Sequence, residues 1–175
     1  MKKQKTVYIG LSADNLHHGH MRLLEKARNY GDIIVGLLTD EAIATYKRLP
    51  YLKYDQRKQI LLNLKGVKKI VPQKVQDYSN NIKILKPDYM IHGDDWKKGY
   101  MSEFRKNCIK VLNSYGGKLI EFPYTKGVSS AAYIRHLNNL SITPDIRRGT
   151  LKRLIEAKKL SRFLDTHNPI SAIIA

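Results

Sequence analysis

The chain has 175 residues, 42% of them hydrophobic, enough for one domain with a real core and an appendage, which sets aside a disordered chain. Its formal net charge is +17, spread along the sequence, and no aromatic or motif signature of nucleic-acid reading accompanies it; nucleic acid is not the expected partner, and the charge suits a polyphosphate ligand. No apolar run nears the roughly 18 residues of a membrane span, so no membrane partner is expected, and the single cysteine, Cys108, rules out an internal disulfide and fits a cytoplasmic location.

Val7-Tyr8-Ile9 is an apolar run of the kind that makes a buried strand, ended by Gly10. A polar loop through Ser12 and Asp14 leads to His17-His18-Gly19-His20, and Met21, Leu24 and Ala27 follow at helical spacing. Two imidazoles therefore stand at a strand–loop–helix junction, where free backbone N–H groups and the positive dipole end favour a phosphate, and Gly19 allows close approach. A solvated histidine loop explains the same spacing, and a zinc site lacks further ligands nearby.

Asp32–Leu38 is a β-branched run and a second buried strand. Thr39 or Asp40 caps a short helix through Ala44, and the basic segment Tyr46-Lys47-Arg48 follows. Lys47 and Arg48 either reach phosphates or form a solvated surface. Residues 54–64 read as a helix with Ile60, Leu61 and Leu64 on one face and Arg57 near its start. Lys69-Ile70-Val71 is a short strand ended by Pro72, and Asn80–Leu85 a short helix stopped by Pro87. Tyr89-Met90-Ile91 is a fourth strand, running into His92-Gly93-Asp94-Asp95-Trp96. There an acidic pair binds a metal, accepts from an exocyclic amine, or caps a turn, and Trp96 covers a base or simply packs. Phe104–Tyr115 is an amphipathic helix closed by Gly116-Gly117, and Lys118–Phe122 a fifth strand. Thr125-Lys126-Gly127-Val128-Ser129-Ser130 offers hydroxyls and a glycine ahead of a helix over 131–140, the ingredients of a second phosphate cradle or of an ordinary N-cap.

Five strands alternating with helices predict a Rossmann-like α/β fold, a five-stranded parallel sheet with helices on both faces, plus a C-terminal helical tail. The unusual sequences follow the first, fourth and fifth strands, where such folds bind ligands.

His17-x-Gly19-His20 resembles the HxGH signature of the nucleotidyltransferase superfamily. Tyr124-Thr125-x-Gly127-Val128-Ser129-Ser130 resembles its second signature, departing at Lys126, where an acid is common, and at Ala131, where a threonine is common. With Gly10-Leu11-Ser12-Ala13-Asp14, the segment Thr45–Lys58 and Pro87–Trp96 (similar to PDxxxxGDDW), the chain looks like the cytidylyltransferase domain attached to phosphoenolpyruvate mutase in phosphonate biosynthesis. The resemblance implies transfer of CMP from CTP to a small phosphonate such as 2-aminoethylphosphonate or 2-hydroxyethylphosphonate, with magnesium bridging the phosphates. Sister families would use glycerol 3-phosphate or phosphocholine, and a weakly catalytic nucleotide-binding module is the other alternative. It further implies His17, His20 and Lys47 as catalytic, and Gly10, Ser12, Gly19, Asp94, Trp96, Thr125, Gly127, Ser129 and Ser130 as nucleotide-binding. Asp14 is implied as a metal ligand or acceptor-positioning group, and relatives suggest a homodimer.

Residues 1–141 read as the nucleotidyltransferase domain. Residues 142–175 read as a linker and basic helical pattern, with 143–157 and 166–175 similar to the opening of a phosphoenolpyruvate mutase barrel. The mutase's substrate and metal residues are absent, so no mutase activity is expected.

Overall fold

The computed structural model describes residues 4–123 and 144–157. The chain divides into two units, Met1–Ser141 and Ile142–Ala175. In the first, five strands, β1 (Thr6–Leu11), β2 (Asp32–Leu38), β3 (Val67–Gln73), β4 (Tyr89–Gly93) and β5 (Lys118–Phe122), form one sheet in the order β3-β2-β1-β4-β5. Every pairing is parallel: Ile9 lies opposite Val35, Tyr8 opposite Met90, Ile91 opposite Ile120. The helices are α1 (His18–Ala27), α2 (Asp40–Ala44), α3 (Tyr54–Leu62), α4 (Ser79–Leu85) and α5 (Met101–Asn113).

Strand alternation sorts the core into two layers. Val7, Ile9 and Leu11 of β1 point to one face, where Val35, Leu37 and Ile91 meet Leu24 and Ala27 of α1 and Leu61 of α3. Tyr8 points to the other, where Met90 meets Tyr78, Ile82 of α4, Trp96, and Cys108 and Leu112 of α5. With both faces covered, the strands are apolar almost throughout, as parallel strands are. From β1 the chain winds outward to β3, then returns to the far side of β1 for β4. The strand order thus reverses between β1 and β4, and a crevice opens at their carboxyl ends.

Differences from the sequence reading are local. β3 extends through Pro72; it is an edge strand, so the missing N–H removes no inner ladder bond. α3 stops at Leu62, and Ile60 is 41% exposed, whereas Arg57, charged and expected nowhere in the core, is wholly buried. A 3-10 turn over Asp94–Lys97 follows β4, and α5 begins three residues before Phe104. Thr39 caps α2, its hydroxyl accepting from Ala42 N–H at 3.2 Å. The helix expected over 131–140 lies outside the described residues. In the second unit, α6 (Pro144–Ala157) carries Leu151 and Ile155 one turn apart, each about half exposed.

Candidate active site

A cavity of about 720 Å³ occupies the crevice, lined from β1 and its loop by Gly10 and Ser12, from α1 by Gly19 and His20 with His17 at its N-cap, and from the segment after α2 by Tyr46 and Lys47. Tyr78, His92, Gly93, Asp95 and Met101 line the β4 side, and Arg22 and Lys26 of α1 add two cations. The volume suits a nucleotide-sized ligand.

Local sequence explains how the two imidazoles are held. His17 is the extended N-cap residue, and its carbonyl accepts from His20 N–H at 2.9 Å. Its own N–H donates to His20 Nδ1 at 3.3 Å, so one orphan donor of the helix start is satisfied by the third residue's ring. That bond makes Nδ1 an acceptor and leaves the proton of the neutral ring on Nε2. The rings of His17 and His20 lie 3.9 Å apart at 32°. Burial, then the neighbouring His17 and Lys47, pushes the His20 pKa down to about 4; burial, then His18, lowers that of His17. Both imidazoles are thus neutral hydrogen-bonding groups near pH 7. His17 Nδ1 is buried with no hydrogen-bond partner among the described residues.

Lys47 Nζ donates to Ser12 Oγ at 3.2 Å, bringing the ammonium over the loop after β1. Burial lowers its pKa, opposed by nearby Asp14 and aided by Arg48 and Arg57. Arg48 is a frame residue instead. It pairs with Asp14 at 2.7 Å, donates to Leu49 O at 2.6 Å and stacks on Tyr51 at 3.9 Å.

Three of the assigned side chains, Asp14, Trp96 and Asp94, do not line the cavity. Asp14 is buried, and its second carboxylate oxygen accepts from Tyr51 N–H at 2.7 Å, so both oxygens are committed to holding loops together rather than presented to a metal. Trp96 is 1% exposed and does not line the cavity: Nε1 donates to Glu121 Oε1 at 2.8 Å, and its ring packs beneath His92. Asp94 does not line the cavity either, whereas Asp95 does. Gly10, Ser12, Gly19, His17, His20 and Lys47 are brought to the same cavity. Thr125, Gly127, Ser129 and Ser130 lie outside the described residues.

Sequence reasoning missed two supports. Arg57 donates to Ser12 O and to Leu52 O and pairs with Asp40 at 2.6 Å, clamping the β1 loop, the 48–53 segment and α2 on one guanidinium. Ala13, between Ser12 and Asp14, takes φ +49°, a left-handed conformation that costs a non-glycine residue energy, and these clamps hold it there. The second is Glu121 of β5, which takes both Trp96 Nε1 and a two-pronged contact from Arg105 at 2.9 Å; Arg105 first, with Trp96 and Lys97 assisting, holds its pKa down at about 2. An arginine in the first turn of α3 and a glutamate in a strand were visible signals, but all their hydrogen-bond partners except Leu52 lie 16 to 45 residues away.

Among the described residues no group of three or more His, Cys, Asp or Glu side chains could hold a metal ion. Among the described residues no helix is long and apolar enough to cross a membrane.

Comparison with known proteins converges on one family. A family model described as cytidylyltransferase-like matches residues 8–136. The chain is 33% identical over 129 residues to a glycerol-3-phosphate cytidylyltransferase of Bacillus spizizenii, covering 73% of this chain and 92% of that protein. It is 33% identical over 119 residues to the bifunctional protein HldE of Aliarcobacter butzleri, covering 66% of this chain and 25% of that longer protein. A lipopolysaccharide core biosynthesis protein from Thermoplasma volcanium shares the fold, with a TM-score of 0.60 at 20% identity over 71% of this chain and all of that one.

Proposed function

The chain belongs to the cytidylyltransferase-like family, and on that premise we propose that it transfers CMP from CTP to an oxyanion of a small phosphate monoester, glycerol 3-phosphate first among them, releasing pyrophosphate. An acceptor oxygen attacks the α-phosphorus, the bond from that phosphorus to the β-bridging oxygen breaks, and the electron pair leaves with pyrophosphate. No covalent enzyme intermediate is needed, so the chain's task is positioning and stabilisation of charge.

The observation that carries this reading is the neutral His17–His20 pair and the Lys47 ammonium facing one cavity at the switch point of the sheet. His20 Nε2–H, its tautomer set by the His17 backbone, donates to a non-bridging α-phosphate oxygen and strengthens as negative charge grows there. His17 donates beside it. Lys47 neutralises the departing phosphates, and the family resemblance assigns further phosphate contacts to Thr125, Gly127, Ser129 and Ser130. Magnesium would supply charge neutralisation on the triphosphate; among the described residues no group of three or more carboxylates, imidazoles or thiols would hold it.

A phosphonate acceptor is the second reading. It is favoured by the Ser12-Ala13-Asp14 loop and by the likeness of residues 143–157 and 166–175 to the start of a phosphonate-pathway mutase domain. The named relatives favour the phosphate monoester. The deciding experiment is pyrophosphate release from CTP with magnesium over a panel of glycerol 3-phosphate, phosphocholine, 2-aminoethylphosphonate and 2-hydroxyethylphosphonate, with ATP as the nucleotide control. Release with glycerol 3-phosphate supports the proposal. Release with a phosphonate alone moves the acceptor to the second reading, and saturable CTP binding without any release overturns the transferase assignment.

A further inference from the structure

The cavity has two chemically distinct ends. Toward the start of α1 and the segment after α2 it presents imidazole N–H groups and the Lys47 ammonium, which bonds Ser12, whereas Lys26 lies over Phe122 of β5. Toward β4 it presents the Tyr78 ring, Met101, His92 and the carboxylate of Asp95. A triphosphate is drawn to the Lys47 end, which leaves the aromatic residues and the Asp95 carboxylate of the β4 side for the base.

His92 is held at that end by two contacts. Its ring stacks on Trp96 with centroids 4.0 Å apart and planes within 15°. Its Nδ1 lies 2.8 Å from Gly93 O, an acceptor only, so Nδ1 carries the proton. Beneath it, Trp96 is anchored by Glu121, which Arg105 grips in turn. Burial, partly offset by the bond to Gly93 and by Asp95 and Glu121, lowers the pKa of His92 and keeps it neutral. The second nitrogen, Nε2, is then an acceptor and nothing else, on a ring that cannot flip without losing the Gly93 bond.

Building on the cytidylyl-transfer reading, we propose that His92 determines pyrimidine specificity: Nε2 accepts a hydrogen bond from the 4-amino group of cytosine. Uracil presents a carbonyl oxygen at that position, so its lone pairs would face those of Nε2 across a dry contact, and UTP is rejected. A site built to receive one hydrogen bond discriminates strongly because the wrong ligand leaves a buried polar group unpaired.

Equilibrium binding of CTP, UTP and the triphosphate of 2-pyrimidinone riboside, which lacks the 4-amino group, tests this on the full chain and on His92→Phe and His92→Gln. The wild-type chain is expected to bind CTP at least tenfold more tightly than either analogue. His92→Phe, which keeps the stack on Trp96, should lower the CTP preference about tenfold while changing UTP affinity less than twofold. His92→Gln, which restores an acceptor near Nε2, should recover part of the preference. A His92→Phe preference within twofold of wild type overturns the inference, as does an equal loss for all three nucleotides or an equal loss in both variants. Wild-type chain that prefers ATP, or binds no nucleotide, refutes the cytidylyltransferase reading as well; a wild-type CTP preference that survives His92→Phe refutes only the role of His92.

Discussion

At the residue scale, His20 combines two demands that pull against each other. It must be desolvated so that its hydrogen bond to a phosphate is worth more than in water, and it must still be a donor. Neutrality resolves this: with Nδ1 occupied by His17 N–H, Nε2–H donates without a positive charge. Removing it should cost what other oxyanion donors cost. His20→Ala is expected to lower kcat by about 10²–10³ with little change in the KM for CTP, and steady-state pyrophosphate release measures it. A kcat within a few-fold of wild type refutes the assignment. The same burial makes a stability prediction. The imidazole is protonated more readily in the unfolded chain, near its ordinary 6.5, than in the folded one, near 4. Across that window the unfolded state holds more protons, so stability falls as the pH drops from about 6.5 toward 4. His20→Gln should flatten that slope in urea titrations taken at several pH values, and an unchanged slope would place the titrating group elsewhere.

At the scale of elements, α3 shows where sequence periodicity stops being informative. Its apolar spacing selects Leu61 for the core, correctly, and Ile60 as well, although Ile60 faces solvent. The helix turns inward instead on Arg57, whose guanidinium bonds the backbone of the β1 loop and the Asp40 carboxylate of α2. Charge and hydropathy report only the side chain's own preference, whereas this burial is set by acceptors 17 and 45 positions away. Removing the guanidinium takes away the donor that Ser12 O, Leu52 O and Asp40 share. Arg57→Leu is expected to destabilise by about 3–5 kcal/mol in urea unfolding. Arg57→Lys should recover only part, since an ammonium cannot span three acceptors in one plane. If the leucine variant unfolds at the wild-type midpoint, the clamp is dispensable. The strands, by contrast, were legible in place, β2 and β5 to the residue, because a parallel sheet covered on both faces demands apolar runs; β1 and β3 read short, as 7–9 and 69–71. At the junctions, spacing left the histidine pair and Lys47 open between a phosphate site and a solvated loop, and the family resemblance singled them out; the structure brings them to one cavity. Asp14 and Trp96 were not legible, because an acid in a loop and a tryptophan after a strand look the same in sequence whether they face the ligand or hold the frame.

At the scale of the whole molecule, the formal charge of +17 is the property that composition displays most openly. Three of its cations, Arg22, Lys26 and Lys47, line the cavity, and many others are distributed over the chain. A nucleoside triphosphate and a phosphate ester are both anions, so a positive field raises their local concentration at the crevice before any specific contact forms. Screening should reveal this. The Debye length shrinks from about 30 Å at 0.01 M salt to about 8 Å at 0.15 M, so contributions from cations outside the cavity fade while contacts within it survive. Raising potassium chloride across that range is therefore expected to raise the KM for CTP several-fold and leave kcat nearly constant. Charge-reversing substitutions of exposed lysines away from the cavity, such as Lys68→Glu with Lys83→Glu, should weaken the salt dependence without touching kcat. If kcat falls with salt while KM stays fixed, the ions are acting on the bound complex, and the field of the molecule plays no part in capturing substrate. If salt instead abolishes binding to duplex DNA at concentrations where CTP turnover persists, the surface charge serves a second polyanion and the cavity works independently of it.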